Sequence, residues 1–479
     1  MDIVPHTRAP SSDADISAPI SRSSTPQTSR SLLFDDIESE APFYSSIQGD
    51  FVLVVGGLGY IGSHTSWELL KAGMNVIIID NLSNSFKGVL DRLELLRSTH
   101  YRQQSDDVVP PVLHFYEADY RDRCAMRALL SKYNHQPGHL PGSPSSSSAI
   151  ESAITGVIHF AAYKSVSESF QNPLAYYANN VGGMVDFCNL LGELNITTFV
   201  FSSSATVYGE FANKGGRLIE EYCDNRGCTG LTNPYGRTKW MCEAILDDLA
   251  VSDSRWSIIA LRYFNPIGCD ESGVLGEDPR DTPNNLMPVV VKVMTGELER
   301  LNVYGTDWNT ADGTAIRDFI HVSDLARGHL AALTARNTLG QGFKKFNLGT
   351  GTGHSVQEII TSMERVSGKS IPVHKTGRRE GDVAICIAEP SNSMRSLNWR
   401  TNKTLDDCCR DICRFLNLDV SAPQPPREES QKRGTISMGS RCARASGWSG
   451  PRSSSTLVCL EKSCGLFFSA LFLFLLLLV

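Results

Sequence analysis

Hydrophobic and polar positions follow a regular rhythm from residue 51 to about residue 264. Short runs rich in Val, Ile and Phe show little alternation with polar residues, as expected for strands covered on both faces. The predicted strands are FVLVV (51–55), NVIIID (75–80), VLHFYEAD (112–119), GVIHFAA (156–162), TFVFSSS (198–204) and WSIIALRYF (256–264). Amphipathic segments between them predict helices at 61–73, 122–133, 173–194 and 235–251. This alternation predicts an α/β fold with a doubly wound parallel sheet.

Two polar stretches interrupt this rhythm, each shortly before a predicted strand. Residues 98–111 contain a Pro-Pro pair, and residues 134–149 read NHQPGHLPGSPSSSSA. Both are predicted to be surface-loop insertions. After about residue 265 the pattern loosens into isolated motifs among loops and short helices. This change indicates a smaller lobe that follows the sheet domain.

The two ends of the chain differ from the rest. Residues 1–49 are rich in Ser, Pro, Thr and Asp, lack the apolar core of a secretory signal, and are predicted to be a disordered extension. Residues 465–479, GLFFSALFLFLLLLV, form an apolar run. As a helix it would reach roughly 22 Å, short of the ~30 Å core of a bilayer. A tail anchor and a divergent terminus outside the fold both stay open, and the Ser/Pro/Arg-rich segment 421–456 before it favours the second.

Composition narrows the possible partners. The net charge is -7 and no Lys/Arg-rich block is present, so nothing electrostatic favours nucleic acid. Thirteen cysteines occur without a CxxC or CxxH pair, which argues against a metal site. They are typical of reduced thiols in a cytoplasmic protein.

The first predicted strand leads directly into a glycine-rich turn. Gly56, Gly59 and Gly62 stand in VVGGLGYIGSHT, where glycine allows a tight turn, close approach to a pyrophosphate and close helix packing. The following helix would offer its free N–H groups to the phosphates. Asp80 closes the second strand, where its carboxylate can accept both ribose hydroxyls of NAD and would repel the extra phosphate of NADP. The sequence therefore predicts NAD binding.

A second motif carries the predicted chemistry. Tyr235 and Lys239 form a YxxxK pair in NPYGRTK, and residues four apart share one face of a helix. A neighbouring cation is expected to lower the pKa of the phenol, as would the positive nicotinamide ring, so that the phenolate takes a proton while hydride leaves the same carbon. Ser204, at the end of the fifth strand, could hydrogen-bond the same oxygen.

The spacing GxxGxxG resembles that of the extended short-chain dehydrogenase/reductase superfamily. Within it, residues 51–417 closely resemble the UDP-glucose 4-epimerase family. The runs that carry this resemblance are GGLGYIGSHT, DNLSNS, FSSSATVYG, NPYGRTK, RYFNPIG, NNLMP, IRDFIHVSDLA and RREGDVA. The resemblance implies a Rossmann-like domain and an isomerase of galactose metabolism that interconverts UDP-glucose and UDP-galactose. It also implies a homodimer that packs through helices matching 173–194 and 235–251.

The resemblance also implies a role for individual residues. The cofactor-binding residues implied in this way are Gly56, Gly59, Tyr60, Ile61, Gly62, Asp80, Asn81, Asp119, Tyr120, Phe160, Ala161, Ala162, Lys164, Asn179, Ser204, Tyr235, Lys239 and Phe264. The catalytic residues are Ser204, Tyr235 and Lys239. The residues implied to bind the UDP-sugar are Ser204, Tyr235, Asn265, Asn285, Leu286, Asn302, Tyr304, Arg317, Arg379, Asp382 and Cys386.

Some of these roles are more specific than others. Arg317 and Arg379 would clamp the diphosphate and Asp382 the uridine ribose, although Arg317 could instead pair with Asp318 or Asp324. Cys386 stands where some family members carry a bulky Tyr and others a Cys. A small side chain there would leave room for an N-acetyl group at carbon 2 of the sugar, and so for UDP-GlcNAc and UDP-GalNAc.

Two other readings are weighed against the epimerase. A sugar-nucleotide 4,6-dehydratase would need an acidic pair where this chain has Ala205 and Thr206. A catalytically silent NAD-binding scaffold is disfavoured by the complete set of Ser204, Tyr235 and Lys239. The predicted organisation is an extension at 1–49, an NAD-binding domain at 50–264, mainly a UDP-sugar-binding lobe at 265–418, and a linker with an apolar tail at 419–479.

Overall fold

The computed structural model describes residues 49–104, 108–134, 151–224, 230–280, 285–379 and 381–418. Its strands are β1 (Phe51–Val55), β2 (Asn75–Asp80), β3 (Leu113–Glu117), β4 (Ile154–His159), β5 (Thr198–Ser204), β6 (Ser257–Tyr263), β7 (Asn265–Ile267), β8 (Leu301–Tyr304), β9 (Ile316–His321), β10 (Gly342–Leu348), β11 (Gly353–Ser355), β12 (Val373–Thr376) and β13 (Ile385–Cys386).

Within these residues, seven strands form the main sheet, in the order β10-β6-β5-β4-β1-β2-β3. Every neighbouring pair in it is parallel. The predicted doubly wound parallel sheet is therefore confirmed. The strand order reverses between β1 and β4, and in such sheets the carboxyl ends beside the reversal open into a ligand-binding crevice.

Helices cover both faces of this sheet. The helices are α1 (Tyr60–Lys71), α2 (Gly88–Arg102), α3 (Arg123–Leu130), α4 (Val166–Gln171), α5 (Pro173–Tyr176), α6 (Gly183–Glu193), α7 (Pro234–Ser252), α8 (Leu286–Met294), α9 (Val322–Thr334), α10 (Arg336–Leu339), α11 (Val356–Ser367), α12 (Ser391–Ser396) and α13 (Leu405–Phe415). Helices α3, α6 and α7 bury apolar side chains against one face. Helices α1, α2 and α9 do so against the other. Aliphatic strands such as β1, buried along their whole length, fit this double coverage.

A smaller group of elements lies mostly beyond residue 265. Strands β7, β9, β11 and β13 pair with one another, and β8 pairs with β12. A separate apolar core joins α8, α11 and α13. However, α9 and β10 return to the main sheet, so the segment after residue 265 contributes to both parts. The domain boundaries given above therefore stay predictions.

The elements differ from the predicted ones mainly at their ends. Helix α2 continues to Arg102, so the first five residues of the predicted 98–111 insertion are helical and not loop. The predicted helix at 173–194 consists of α5, one π-helical segment (Tyr177–Gly182) and α6. Residues 135–149, the N-terminal extension up to residue 48 and the apolar run at 465–479 lie outside the described residues. None of the described helices combines the length and apolarity needed to cross a bilayer.

Candidate active site

A cleft of about 380 Å³ opens at the carboxyl edge of the main sheet. Its walls come from the ends of β1, β2, β4, β5 and β6, from the start of α7, and from the segment around Asn265 and Asn285. The cleft thus lies at the strand-order reversal, where the topology predicts a ligand.

The glycine turn between β1 and α1 forms one wall of the cleft. Gly56 has φ +78°, and a Cβ there would meet the backbone nitrogen of Ala161 at 2.9 Å. A Cβ on Gly62 would lie 2.2 Å from the carbonyl oxygen of Gly56, so α1 packs against the turn only because that side chain is missing. Gly59 is the N-cap of α1 and carries no capping side chain. The free N–H groups of the first turn therefore stay available to a diphosphate.

Asp80 stands at the end of β2 beside this turn. Its carboxylate accepts hydrogen bonds from the backbone N–H of Leu58 at 3.0 Å, from that of Leu82 at 2.9 Å, and from the hydroxyl of Ser85 at 2.8 Å. These donors fix its orientation at the rim of the cleft, where it is 8% exposed. A fixed anion beside a positive helix terminus fits the ribose of a dinucleotide.

The other predicted cofactor residues, with one exception, also line this cleft. They are Gly56, Gly59, Tyr60, Ile61, Gly62, Asn81, Tyr120, Phe160, Ala161, Ala162, Lys164, Asn179, Ser204, Tyr235, Lys239 and Phe264. Asn179 lies in the π-helical segment, a rare conformation that often marks functional sites. The exception is Asp119, which is not among the lining residues. Its carboxylate accepts from Arg121 at 2.6 Å and from Asn81 at 3.2 Å.

Tyr235 and Lys239 enter the cleft from the first turns of α7. This helix begins sharply because the Asn233 side chain accepts from the N–H of Gly236 at 2.7 Å and Pro234 occupies the first position. The Lys239 ammonium donates to the carbonyl of Ser202 at 2.6 Å. It lies 6.0 Å from the centroid of the Tyr235 ring. The predicted pair thus shares one face of the helix and one cleft.

The pKa of the phenol differs from the expectation. Burial raises the pKa of Tyr235 to about 12, and a hydrogen bond with Ser204 only partly opposes this. Burial also lowers the pKa of Lys239 to about 8. The predicted lowering of the phenol pKa is therefore not found in this structure, because the loss of hydration on burial is the largest influence on it.

Ser204 is held in place by the residue two positions further on. Its hydroxyl oxygen accepts from the Thr206 backbone N–H at 3.2 Å and from the Thr206 hydroxyl at 3.0 Å. The Ser204 hydroxyl proton is therefore left to point towards Tyr235. Thr206 itself lines the cleft and brings a neutral hydroxyl to the position where a dehydratase needs an acid.

The predicted substrate residues fall into two groups. Asn265, Asn285 and Leu286 line the cleft together with the catalytic residues. Asn302, Tyr304, Arg317, Arg379, Asp382 and Cys386 do not, and they lie on β8, β9, β13 and the loop before β13.

Members of this second group contact one another. The Arg317 guanidinium donates to the Asp382 carboxylate at 2.5 Å, and not to Asp318 or Asp324. The guanidinium carbon of Arg379 lies 3.7 Å from the centroid of the Tyr304 ring. Both guanidinium groups therefore already have a partner within this second group, the Asp382 carboxylate for Arg317 and the Tyr304 ring for Arg379.

Cys386 links this second group to the cleft. It pairs in β13 with Arg317 of β9. It is half-buried and packs in one apolar cluster with Phe264, which lines the cleft. Asn302 is exposed on β8 and pairs with His374 in the register of β12.

Several further lining residues were missed by the sequence reasoning, and four of them bear on the chemistry of the site. Ser202 and Tyr263 hydrogen-bond each other beside Lys239, and Phe319 of β9 forms part of the far wall. Glu277 is an acid in the cleft that hydrogen-bonds Asn285, and burial raises its pKa. The available signal was position, because Ser202 and Tyr263 lie within the last three residues of β5 and β6, at the same edge of the sheet. Glu277 lies after residue 265, where the regular pattern of hydrophobic runs is lost, so no comparable signal marked it.

Known families and proteins match most of this chain. The model described as the NAD dependent epimerase/dehydratase family matches residues 138–349. The model for GDP-mannose 4,6 dehydratase matches residues 53–138. The UDP-glucose 4-epimerase of Bacillus subtilis (strain 168) is 42% identical over 370 residues, which cover 77% of this chain and 98% of that protein. The UDP-glucose 4-epimerase of Homo sapiens is 43% identical over 371 residues, covering 77% and 97%.

Solved structures are similar to the chain over the same extent. The UDP-glucose 4-epimerase from Bifidobacterium longum, in complex with NAD+ and UDP, has a TM-score of 0.66 and 39% sequence identity. The match covers 77% of this chain and 98% of that one.

Proposed function

The chain belongs to the UDP-glucose 4-epimerase family, and we propose on this premise that it interconverts UDP-glucose and UDP-galactose reversibly. The reaction passes through a 4-keto sugar that is reduced again on its opposite face. The observation that carries this proposal is the meeting of Ser204, Tyr235 and Lys239 in one cleft with the glycine turn and Asp80.

NAD is the cofactor of the proposed reaction. The glycine turn would hold its diphosphate against the first turn of α1, and the Asp80 carboxylate would accept hydrogen bonds from its ribose hydroxyls. Phe160, Lys164 and Asn179 line the path towards the catalytic residues. When bound, NAD supplies the hydride acceptor at carbon 4 and the hydride donor for the return step.

The catalytic side chains move the proton that accompanies the hydride. Tyr235 takes the proton of the carbon-4 hydroxyl and later returns it to the keto oxygen. Because burial raises the pKa of Tyr235 to about 12, positive charge close to the phenol favours its action as a base. Ser204 donates to the same substrate oxygen and keeps it close to Tyr235. Lys239 supplies a fixed positive charge at the base of the cleft.

The remaining predicted residues hold the nucleotide end of the substrate. Arg317 and Arg379 bind the diphosphate, Asp382 the uridine ribose, and Asn302, Tyr304 and Leu286 surround the base and its ribose. Asn265 and Asn285 contact the sugar side of the cleft. Holding the substrate at its diphosphate leaves the keto sugar free to turn, which an inverting hydride return requires.

A second substrate pair is proposed on one observation. Cys386 is small and half-buried beside Phe264 of the cleft. The space that a larger side chain would fill can take an N-acetyl group. UDP-GlcNAc and UDP-GalNAc are therefore proposed as additional substrates.

The assembly and the compartment are also proposals. The protein is proposed to be a homodimer that packs through the helices at 173–194 and 235–251. Leu174 of α5 and Val251 of α7 are apolar and more than 80% exposed, which supports coverage by a second copy. A cytoplasmic location is supported by the nine described cysteines, none of which forms a disulfide. Light scattering of the purified protein and imaging of a tagged chain, with and without residues 421–479, test these two proposals.

One experiment separates the proposed reaction from its rivals. The purified chain is incubated with UDP-galactose without added reductant, and the products are identified by NMR. UDP-glucose and bound NAD are expected. A 4-keto-6-deoxy product would instead identify a dehydratase. Bound NAD with no conversion would favour a silent scaffold.

A further inference from the structure

A buried ion pair lies one helical turn beyond Lys239. Glu243 follows Lys239 by four residues on α7 and therefore continues the face that carries Tyr235 and Lys239. Its carboxylate accepts from Arg262 of β6 at 2.6 Å and 3.0 Å. It also accepts from the hydroxyl of Ser203 on β5. The side chains of Glu243 and Arg262 are both fully buried.

The guanidinium of Arg262 is fixed from its other side as well. It donates to the carbonyl of Glu220 at 3.0 Å, to that of Cys223 at 2.8 Å, and to the Tyr208 hydroxyl at 3.3 Å. Arg262 therefore joins Glu243 of α7 to the segment that follows β5. A guanidinium with this many acceptors has little freedom to move.

Each strand partner of Glu243 is adjacent in sequence to a residue of the cleft. Ser203 precedes Ser204 on β5, and Arg262 precedes Tyr263 on β6. Successive side chains of a strand point to opposite faces, so the ion pair lies behind the surface that lines the cleft. Its contacts therefore set how far α7 stands from the strand ends that carry the catalytic hydroxyl.

The ion pair also acts on Lys239 through its charge. Burial disfavours the ammonium of Lys239, while the Glu243 carboxylate and the Cys242 thiol favour it. The other groups that face the ammonium are His159 of β4, whose burial keeps it neutral, the Phe201 ring at 4.8 Å, and the Tyr235 ring. Among these groups around the Lys239 ammonium, Glu243 is the carboxylate, and Arg262 and Ser203 hold it in place.

Stability alone does not explain such a pair. Removing two charges from water costs several kcal/mol per ion, and apolar residues of the same volume often replace a buried pair without loss of stability.

We propose that Glu243 is a positioning residue, an inference that rests on the proposed epimerase reaction. Through Arg262 and Ser203 it holds α7 in the register that catalysis needs, and through its charge it keeps Lys239 an ammonium ion.

The test compares two variants with the wild-type chain, all loaded with NAD. Glu243→Gln keeps the shape and removes the charge. Its kcat is expected to fall about tenfold to a hundredfold, since misplaced catalytic groups cost about this much. The alkaline limb of its kcat–pH profile is expected to move to lower pH, because Lys239 loses its proton more easily without the Glu243 carboxylate. The KM for UDP-galactose and the NAD content should stay within about twofold of wild type.

The second variant separates positioning from folding. Glu243→Met with Arg262→Met removes both charges and conserves volume, so it is expected to fold. It should show the same loss of kcat and a smaller shift of the alkaline limb in the same direction, because the Arg262 charge that repels the Lys239 ammonium is removed as well. Asp324→Asn is the matched control, because Asp324 is a fully buried acid paired with Arg327 on α9, which packs on the opposite face of the main sheet from α7. That variant should lose thermal stability and keep the wild-type pH profile.

Two outcomes overturn the inference. Either folded Glu243→Gln with the wild-type kcat and pH profile, or a lowered kcat without a shifted limb, makes Glu243 a structural residue only. A wild-type chain that does not convert UDP-galactose would overturn the proposed function instead. In that case the role of Glu243 is tested by NMR titration of the Lys239 side chain in the NAD-loaded chain. The Lys239 signal is assigned by comparison with Lys239→Arg. A titration midpoint unchanged by Glu243→Gln would overturn it.

Discussion

The nucleotide half of the site and its substrate half hold their functional residues in different ways. In the nucleotide half, all predicted residues except Asp119 line one cleft, and backbone or hydroxyl donors orient Asp80 and Ser204. In the substrate half, Arg317 and Arg379 are held by Asp382 and Tyr304 of the same half. The contacts of the first half leave its residues facing the cleft. Arg317 and Arg379, in the role proposed for them, exchange their contacts within the protein for contacts with the substrate, so substitutions in the two halves are expected to affect different kinetic quantities.

The largest loss of kcat is expected when the proposed general base, Tyr235, is replaced. Tyr235→Phe should lower kcat by about 10²- to 10⁴-fold, the usual contribution of a positioned acid–base group. The bound NAD should be retained, because the ring and the cleft wall stay in place. Conversion of UDP-galactose and the NAD content per chain measure the two quantities.

Tyr263→Phe is the matched control for that substitution. It removes a hydroxyl from the same cleft, but that hydroxyl is bonded to Ser202 on β5. A loss of less than about tenfold is expected, because only a neutral hydrogen bond disappears. Comparable losses in both variants would contradict the role given to Tyr235.

A smaller effect is expected at the cofactor ribose. Asp80→Ala should weaken NAD binding about tenfold to a hundredfold, since hydrogen bonds to a charged group contribute about 1.5–3 kcal/mol. Asp119→Ala should change it far less, because Asp119 is not among the residues that line the cleft and its carboxylate already pairs with Arg121. Calorimetric titration of NAD into each variant, after bound NAD has been removed, measures both affinities. A stronger effect at Asp119 would show that it turns towards the adenine on binding.

The same contrast explains how much the sequence could predict. The β1 strand was predicted at its observed ends, 51–55, because a strand buried on both faces leaves an unbroken apolar run. The i, i+4 spacing placed Tyr235 and Lys239 on one face, but it carries no information on burial. The direction of the phenol pKa was therefore missed.

Contacts in the substrate half were harder to predict for a different reason. Arg317 and Asp382 are 65 residues apart in sequence and meet only because β13 pairs with β9. No local period encodes such a pairing. The resemblance to a family supplied the residues of this half, and only the structure supplied their partners.

In the substrate half, the expected change is in KM and not in NAD binding. Arg379→Met should raise the KM for UDP-galactose about tenfold, as for the loss of a charge-assisted hydrogen bond. Arg378→Met is the matched control, because Arg378 stacks on Trp308 and pairs with Asp307 on the exposed surface. It should change the KM by less than about threefold. Equal effects of the two variants would mean that general positive charge, and not Arg379 itself, attracts the substrate.

The smallest effect on UDP-galactose is expected at Cys386. Cys386→Tyr adds an aromatic ring beside Phe264 and fills the space proposed for the N-acetyl group. Activity on UDP-GalNAc should fall at least about tenfold, because overpacking such a space costs about 1–3 kcal/mol. Activity on UDP-galactose should change little, because that sugar has only a hydroxyl at carbon 2. Cys386→Ser controls for loss of the thiol and should keep both activities. Equal loss on both substrate pairs in Cys386→Tyr would show that the ring disturbs Arg317 on the neighbouring strand, and that Cys386 does not set the specificity.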